Sequence, residues 1–258
     1  MLKVFREIGK KALDLVQKER NGRKIIGRNP LGQKTLRMDY ELEGMVIDKL
    51  NELETGKILI TEERGEIELR GDNLVFILDP LDGSNNYLRG IPVYCLAISV
   101  SENRMYSGIT QSYVIDLANG DEFWAIKGKG AFRNGKKIYS SEETELGRCV
   151  IEYDCNLRDI EKLSPLMKVV RDTRRLGANI LGLCYIASGA HHAFIDLRNS
   201  LSVIHVTGLR IAEEAGAIAT DIAGNTLNPE LRLRNVLSFV CSANKSIHKK
   251  ILSLIEQS

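Results

Sequence analysis

The chain has 258 residues, 43% of them hydrophobic and 27% charged, with a formal net charge of +2. That length holds one large domain or two small ones with an ample core, and so even a charge balance gives no electrostatic reason to expect a nucleic-acid or membrane partner. No segment reaches the roughly 18 apolar residues of a membrane span, and the charged start Met1-Leu2-Lys3-Val4-Phe5-Arg6-Glu7 does not read as a signal peptide. The five scattered cysteines (Cys95, Cys149, Cys155, Cys184, Cys241) form no Cys-x-x-Cys, as expected of reduced thiols in a cytoplasmic protein.

Leu2, Val4, Phe5, Ile8, Ala12, Leu13, Leu15 and Val16 recur at helical spacing and predict an amphipathic helix over 2–21. Residues 22–38, rich in Gly, Arg and Lys, read as a basic loop or hairpin. A second helix is expected from Asp39 to about Leu53. Lys57-Ile58-Leu59-Ile60 is a short strand that delivers Glu62 and Glu63 at its end, and 64–73 is polar and turn-like. The apolar run Asn73-Leu74-Val75-Phe76-Ile77-Leu78 reads as a buried strand. It leads into Asp79-Pro80-Leu81-Asp82-Gly83-Ser84-Asn85-Asn86-Tyr87. Pro80 stiffens the backbone between two carboxylates three residues apart. Gly83 permits a tight turn, and Ser84, Asn85 or Asn86 can cap a helix that begins there.

Residues 94–100 and 105–113 look like antiparallel strands joined around Glu102-Asn103-Arg104, with 121–125 continuing the sheet. The glycine-rich run 127–136 reads as a hairpin bent at Asn134-Gly135 and not as a phosphate loop, because no helix follows it. From there strand and helix alternate: strand 149–153, helix 159–172, strand or turn 173–176, helix 177–188, strand 192–196, helix 206–215, strand 236–241, helix 244–256. That alternation predicts an α/β layer, after a first half of mixed α+β character. A soft boundary falls near residue 140. It divides a metal- and phosphate-binding half, 1–140, from a half that closes the substrate site, 141–258. With no long linker the halves should share an interface, where sites gather.

Glu62, Asp79 and Asp82 all stand at strand ends. Carboxylates with no His or Cys close in sequence select Mg, Mn or Ca over Zn. Magnesium prefers octahedral oxygen at about 2.0–2.1 Å, and three acids can hold two such ions roughly 3.5–4 Å apart. A helix N-terminus at Gly83-Ser84 is suited to phosphate oxygens. The reaction that uses all these parts is hydrolysis of a phosphate monoester.

The run Asp79 to Pro92, Asp-Pro-Leu-Asp-Gly-Ser-Asn-Asn-Tyr followed by Gly90-Ile91-Pro92, strongly resembles the first signature of the inositol monophosphatase family. Thr61-Glu62-Glu63 is similar to the family's Gly-Glu-Glu segment, and Asp39-x-x-x-Glu43 to its early helix. Arg175-Leu176-Gly177-Ala178-Asn179 through Asp196 and Glu214-Ala215-Gly216 resemble its later signatures. The resemblance implies a layered α/β/α/β/α sandwich, magnesium-dependent phosphatase activity (Mn²⁺ being an alternative) on a small phosphorylated polyol or sugar, and a homodimer. It also implies roles. Glu62, Asp79, the Leu81 carbonyl and Asp82 would be metal ligands. Glu62 and Ser84 would orient the attacking water, and the Gly83 and Ser84 amides would hold phosphate. Gly177, Ala178, Asn179 and Asp196 would line the side that meets the substrate's hydroxyls.

One part departs from the pattern. The family's second signature carries an aspartate twelve residues before the glycine matched by Gly216. An ungapped count places Ile204 there, and a one-residue deletion places His205 there. Ile204 offers no ligand, whereas an imidazole suits Zn, Mn or Fe better than Mg. The plainer expectation for His205 is a surface or capped histidine, and His191 and His192 read as structural. Two readings follow: an active metal-dependent phosphatase whose second metal is completed by substrate, water or His205, and a catalytically impaired relative that binds a phosphorylated metabolite or a partner protein. Glu62, Asp79, Asp82 and Ser84 together favour the first, since packed like charges repel without a cation.

Overall fold

The computed structural model describes residues 1–19 and 21–256. In chain order, α1 (Leu2–Lys18) precedes a small antiparallel hairpin, β1 (Ile25–Arg28) and β2 (Lys34–Leu36), and then α2 (Arg37–Asn51). Next come β3 (Gly56–Thr61), β4 (Gly65–Glu68), β5 (Leu74–Asp82), α3 (Ser84–Arg89), β6 (Cys95–Ser101), β7 (Ile109–Asp116), β8 (Glu122–Ile126), β9 (Gly130–Arg133) and β10 (Lys136–Ile138). The strands from β3 to β10 form an eight-stranded sheet ordered β10-β9-β8-β7-β6-β5-β3-β4. The rest of the chain supplies β11 (Val150–Asp154), α4 (Ile160–Met167), β12 (Asp172–Arg174), α5 (Asn179–Ala187), β13 (Ala193–Ser202), α6 (Val206–Glu214), β14 (Ile218–Thr220), β15 (Val236–Ser242) and α7 (Lys245–Glu256). Its five strands form a second sheet, ordered β12-β11-β13-β15-β14.

Side chains alternate faces along a strand, and this alternation builds the layers. In β5, Phe76 and Leu78 pack with Phe5, Ile8, Leu42 and Val46 of α1 and α2. Val75 and Ile77 face the other way and join Ile180, Leu183, Leu209 and Ile211 of α5 and α6. In the second sheet Phe194 and Phe239 close on that same middle layer, while Ala193, Ile195 and Val240 pack with Leu163 of α4 and Ile247 of α7. The result is five layers, α/β/α/β/α. β5 and β6 are buried on both faces because helices cover both, which is why β5 opens as an unbroken hydrophobic run. No helix among the described residues is long and apolar enough to cross a membrane.

Several boundaries differ from expectation. The first helix stops at Lys18 and the helix expected over 159–172 is the shorter α4. β4, expected as a turn, pairs with β3 at the sheet edge, where its one partly covered apolar residue, Ile67, gives little pattern to read. β14 was likewise unforeseen. The expected break near residue 140 falls between β10 of one sheet and β11 of the other.

Candidate active site at the ends of two parallel strands

β3 and β5 run parallel with Thr61 opposite Leu78, so Glu62 and Asp79 stand side by side just past the end of their shared ladder. β5 does not end at Leu78. It continues through Asp82, and its ladder with β6 is interrupted between Asp79 and Asp82, where Pro80 has no N–H to offer. The Leu81 N–H donates to Asp79 Oδ1 at 3.0 Å and fixes the turn from within. Gly83 follows at φ +86, and a Cβ there would lie 2.6 Å from the Val93 carbonyl oxygen and 3.0 Å from Ala178 Cβ, so only glycine fits. The Asn86 side chain of the six-residue α3 then donates to the carbonyls of Val93 (2.9 Å) and Leu176 (2.8 Å), tying the turn to the second half of the chain.

The second half supplies two further pieces. The first is the N-terminus of α5, whose opening N–H groups have no partner inside the helix. Asp82 accepts them: Asn179 at 3.1 Å, Ile180 at 2.7 Å and Leu181 at 3.4 Å. The second is the 3₁₀ turn Val203–His205 that leads into α6. Ile204 is fully buried in the apolar middle layer. His205 turns to the acids, its Nε2 lying 3.7 Å from Asp79 Oδ2 and 3.9 Å from Asp82 Oδ1, with its side chain 12% exposed. It is neither a surface histidine nor one far from the site.

These groups line a cavity of about 660 Å³ shared by Glu62, Asp79, Leu81, Asp82, Gly83, Ser84, Gly177, Asn179 and His205, a size suited to a small metabolite. Lys34, Arg89 and Arg198 bring positive charge to its wall. Ala178 and Asp196 do not reach it. Both are fully buried, and the Asp196 carboxylate is held by the Arg198 guanidinium, with Nε at 3.1 Å and Nη2 at 2.5 Å from Oδ2. Arg198 Nη1 also pairs with Asp154 at 2.7 Å, and Arg175 Nη2 meets the same carboxylate at 2.6 Å. The group that faces the cavity here is therefore a guanidinium clasped by two acids. His191 lies 3.4 Å from buried Glu152, and the His192 ring accepts the Val150 N–H at 3.1 Å, as befits structural histidines.

Burial is the main force on the acids. It pushes Glu62, Asp79 and Asp82 above the ordinary carboxylate range, and their mutual charges add to the effect at Glu62 and Asp79. At Asp79 the strongest neighbouring charge is Glu62; at Asp82, His205 and the three α5 amides pull partly back down. Three further acids stand close by. Asp39 is pushed up to about 8 by burial and by Glu63, while Glu43 is met by Arg64 at 2.7 Å and Glu63 by the Thr35 hydroxyl. Asp79 Oδ2 is buried and accepts no hydrogen bond among the described residues. A buried carboxylate oxygen without a donor, among other acids, fits a divalent cation.

Carboxylates gathered at the ends of parallel strands, with a cavity for a small ligand beside them, define a metal-dependent phosphate-ester hydrolase. The chain belongs to the inositol monophosphatase family, whose model matches residues 1–258. It is 31% identical over 243 residues to a fructose-1,6-bisphosphatase/inositol-1-monophosphatase of Methanothermobacter thermautotrophicus, covering 90% of this chain and 87% of that one. It is 32% identical to a bifunctional NADP phosphatase/NAD kinase of Methanocaldococcus jannaschii, with 98% of this chain matching 49% of that protein. The crystal structure of an inositol monophosphatase–fructose 1,6-bisphosphatase superposes with a TM-score of 0.88 at 26% identity, covering 98% of both chains. The protein is thus a metal-dependent phosphatase.

Proposed function

We propose that the protein hydrolyses the phosphate monoester of a small phosphorylated polyol or sugar, inositol 1-phosphate or fructose 1,6-bisphosphate, with Mg²⁺ as cofactor and Mn²⁺ able to replace it. The observation that carries this reading is the buried Asp79 Oδ2, which accepts no hydrogen bond among the described residues, beside Glu62 and Asp82 and next to a cavity of metabolite size. Relatives named for both activities support the substrate class.

Glu62, Asp79, the Leu81 carbonyl and Asp82 would hold two cations, Glu62 and the Leu81 carbonyl serving one position and Asp82 the other, with Asp79 between them. When bound, the cations would supply positive charge to the attacking and departing oxygens. Glu62 and Ser84 hold a water in line with phosphorus, and the Gly83 and Ser84 amides receive the phosphate oxygens. Water oxygen bonds to phosphorus and gives up a proton, the ester P–O bond breaks, and the departing alkoxide takes up that proton, leaving alcohol and inorganic phosphate. Gly177, Asn179 and Arg198 border the rest of the substrate, and Asp196 acts from behind by fixing Arg198. Residues 1–140 form the metal- and phosphate-binding half, and 141–258 the half that closes over it. The working form is a cytoplasmic homodimer.

The test is phosphate release from inositol 1-phosphate and fructose 1,6-bisphosphate with Mg²⁺ and, separately, with Mn²⁺. Turnover of at least one substrate is expected. No release from either substrate under either metal overturns the proposal.

A further inference from the structure

We propose that His205 is a direct ligand of the cation held by Asp79 and Asp82, and that this nitrogen donor makes the position selective for a transition-metal dication of the Mn²⁺ or Co²⁺ kind over Mg²⁺. The inference rests on the reading above, that these aspartates hold the catalytic metal.

One donor atom each from Asp79, Asp82 and His205 lies within 4.8 Å of the other two. Metal–ligand bonds of about 2.0–2.2 Å place two ligands of one ion roughly 3–4 Å apart, and the His205 Nε2 separations of 3.7 and 3.9 Å fall in that span. The oxygen nearer to the imidazole is Asp79 Oδ2, 99% buried as a residue and accepting no hydrogen bond among the described residues.

The imidazole is also held in place. His205 stands at the N-cap of α6, with Ile204 packed in the core on one side. Two residues on, the Thr207 hydroxyl accepts from Ser99 at 2.8 Å, and Ser99 is joined to Ser112 at 2.7 Å, so the start of α6 is pinned to the first sheet. A histidine fixed in this way toward two carboxylates gives one neutral nitrogen and two charged oxygens. Compared with three carboxylates, that set carries one less negative charge. Mg²⁺ depends on hard charged oxygen, whereas affinity for nitrogen-containing sites rises from Mn²⁺ through Co²⁺.

The test loads the full-length protein with Mn²⁺ and reads nitrogen coupling by pulsed electron paramagnetic resonance, alongside calorimetric titration with Mn²⁺ and with Mg²⁺. Nitrogen modulation is expected in the wild type, altered by ¹⁵N-histidine labelling and absent from both H205A and H205D. H205D is expected to fold as the wild type and to lose at least about tenfold of the Mn²⁺-over-Mg²⁺ preference. Bound Mn²⁺ without nitrogen coupling, or coupling that survives in H205D, overturns the inference while leaving the phosphatase reading intact if phosphate is still released. Failure of the wild type to bind either metal overturns both.

Discussion

Replacing Asp79 with asparagine should stabilise the metal-free protein while removing its activity. Asp79 is 1% exposed, with Oδ1 taken by the Leu81 N–H and Oδ2 accepting no hydrogen bond among the described residues. A donor atom of Asp82 lies within 4.8 Å of it. Two unit charges that far apart repel by about 3.5 kcal/mol at an effective dielectric constant of 20. Without a cation the pair relieves part of this by binding a proton, which the raised pKa of Asp79 allows, so about 1–2 kcal/mol of strain remains. The amide removes the charge at nearly constant volume, and its oxygen can still accept from Leu81. In EDTA, Asp79→Asn is therefore expected to unfold about 2–8 °C above the wild type. Divalent metal at a hundred times its Kd should raise the wild type by about 2.7 kcal/mol and leave the variant unmoved. Phosphate release should fall at least about 100-fold, beyond the usual loss for a group that only supports a ligand. Thermal unfolding with and without metal checks both signs. A variant less stable than the wild type in EDTA refutes the account of these acids as a site built around a cation.

Gly83→Ala must adopt φ +86 with a side chain, at roughly 1–2 kcal/mol, and must displace the Val93 carbonyl and Ala178, at about 1–3 kcal/mol more. Urea unfolding should show a loss of about 2–5 kcal/mol, and wild-type stability would contradict the close approach described here. Acid sensitivity should come in part from His248, which is buried between the Thr220 hydroxyl (3.0 Å) and Ser242 (3.1 Å) and whose pKa is lowered by that burial. The unfolded chain protonates this histidine near the ordinary value of about 6.5 while the folded chain resists, so stability is full above that pH and declines as pH falls below it. Unfolding free energies measured from pH 7.5 down to 5 should decline less steeply in His248→Gln, by up to about 1.4 kcal/mol per pH unit, and an unchanged slope argues against the assignment.

The first-motif acids were legible because they are contiguous. Six neighbouring residues carry the strand end, both carboxylates and the turn, so little depends on tertiary contacts. Glu62 was legible as a candidate, but its place beside Asp79 needed the parallel register of β3 and β5. Arg198 was missed because the strand was expected to stop at Asp196. Carried on through Ser202, the two-residue period puts Asp196 and Arg198 on one face. The choice between Ile204 and His205 could not be made from spacing at all. Successive residues of a tight helical turn point roughly 100–120° apart, so one faces the core and the next faces the acids, and only the packing of Ile204 into the apolar middle layer decides which. Asp39 and Glu43 share a face of α2 by their four-residue spacing, but their closeness to Glu63 depends on how that helix lies on the sheet.

The contact between Asp82 and the start of α5 has a consequence for the order in which the enzyme is made. The amides that hold this carboxylate belong to residues up to 99 positions later in the chain. At about 5–20 residues added per second, translation leaves Asp82 without them for roughly 5–20 s after it is synthesised. His205 follows later still. Until then the acids stand together with neither helix amides nor imidazole beside them. Metal capture in its final geometry is therefore a late event in biogenesis, and the nascent first half passes through a stage in which its most costly charges are uncompensated.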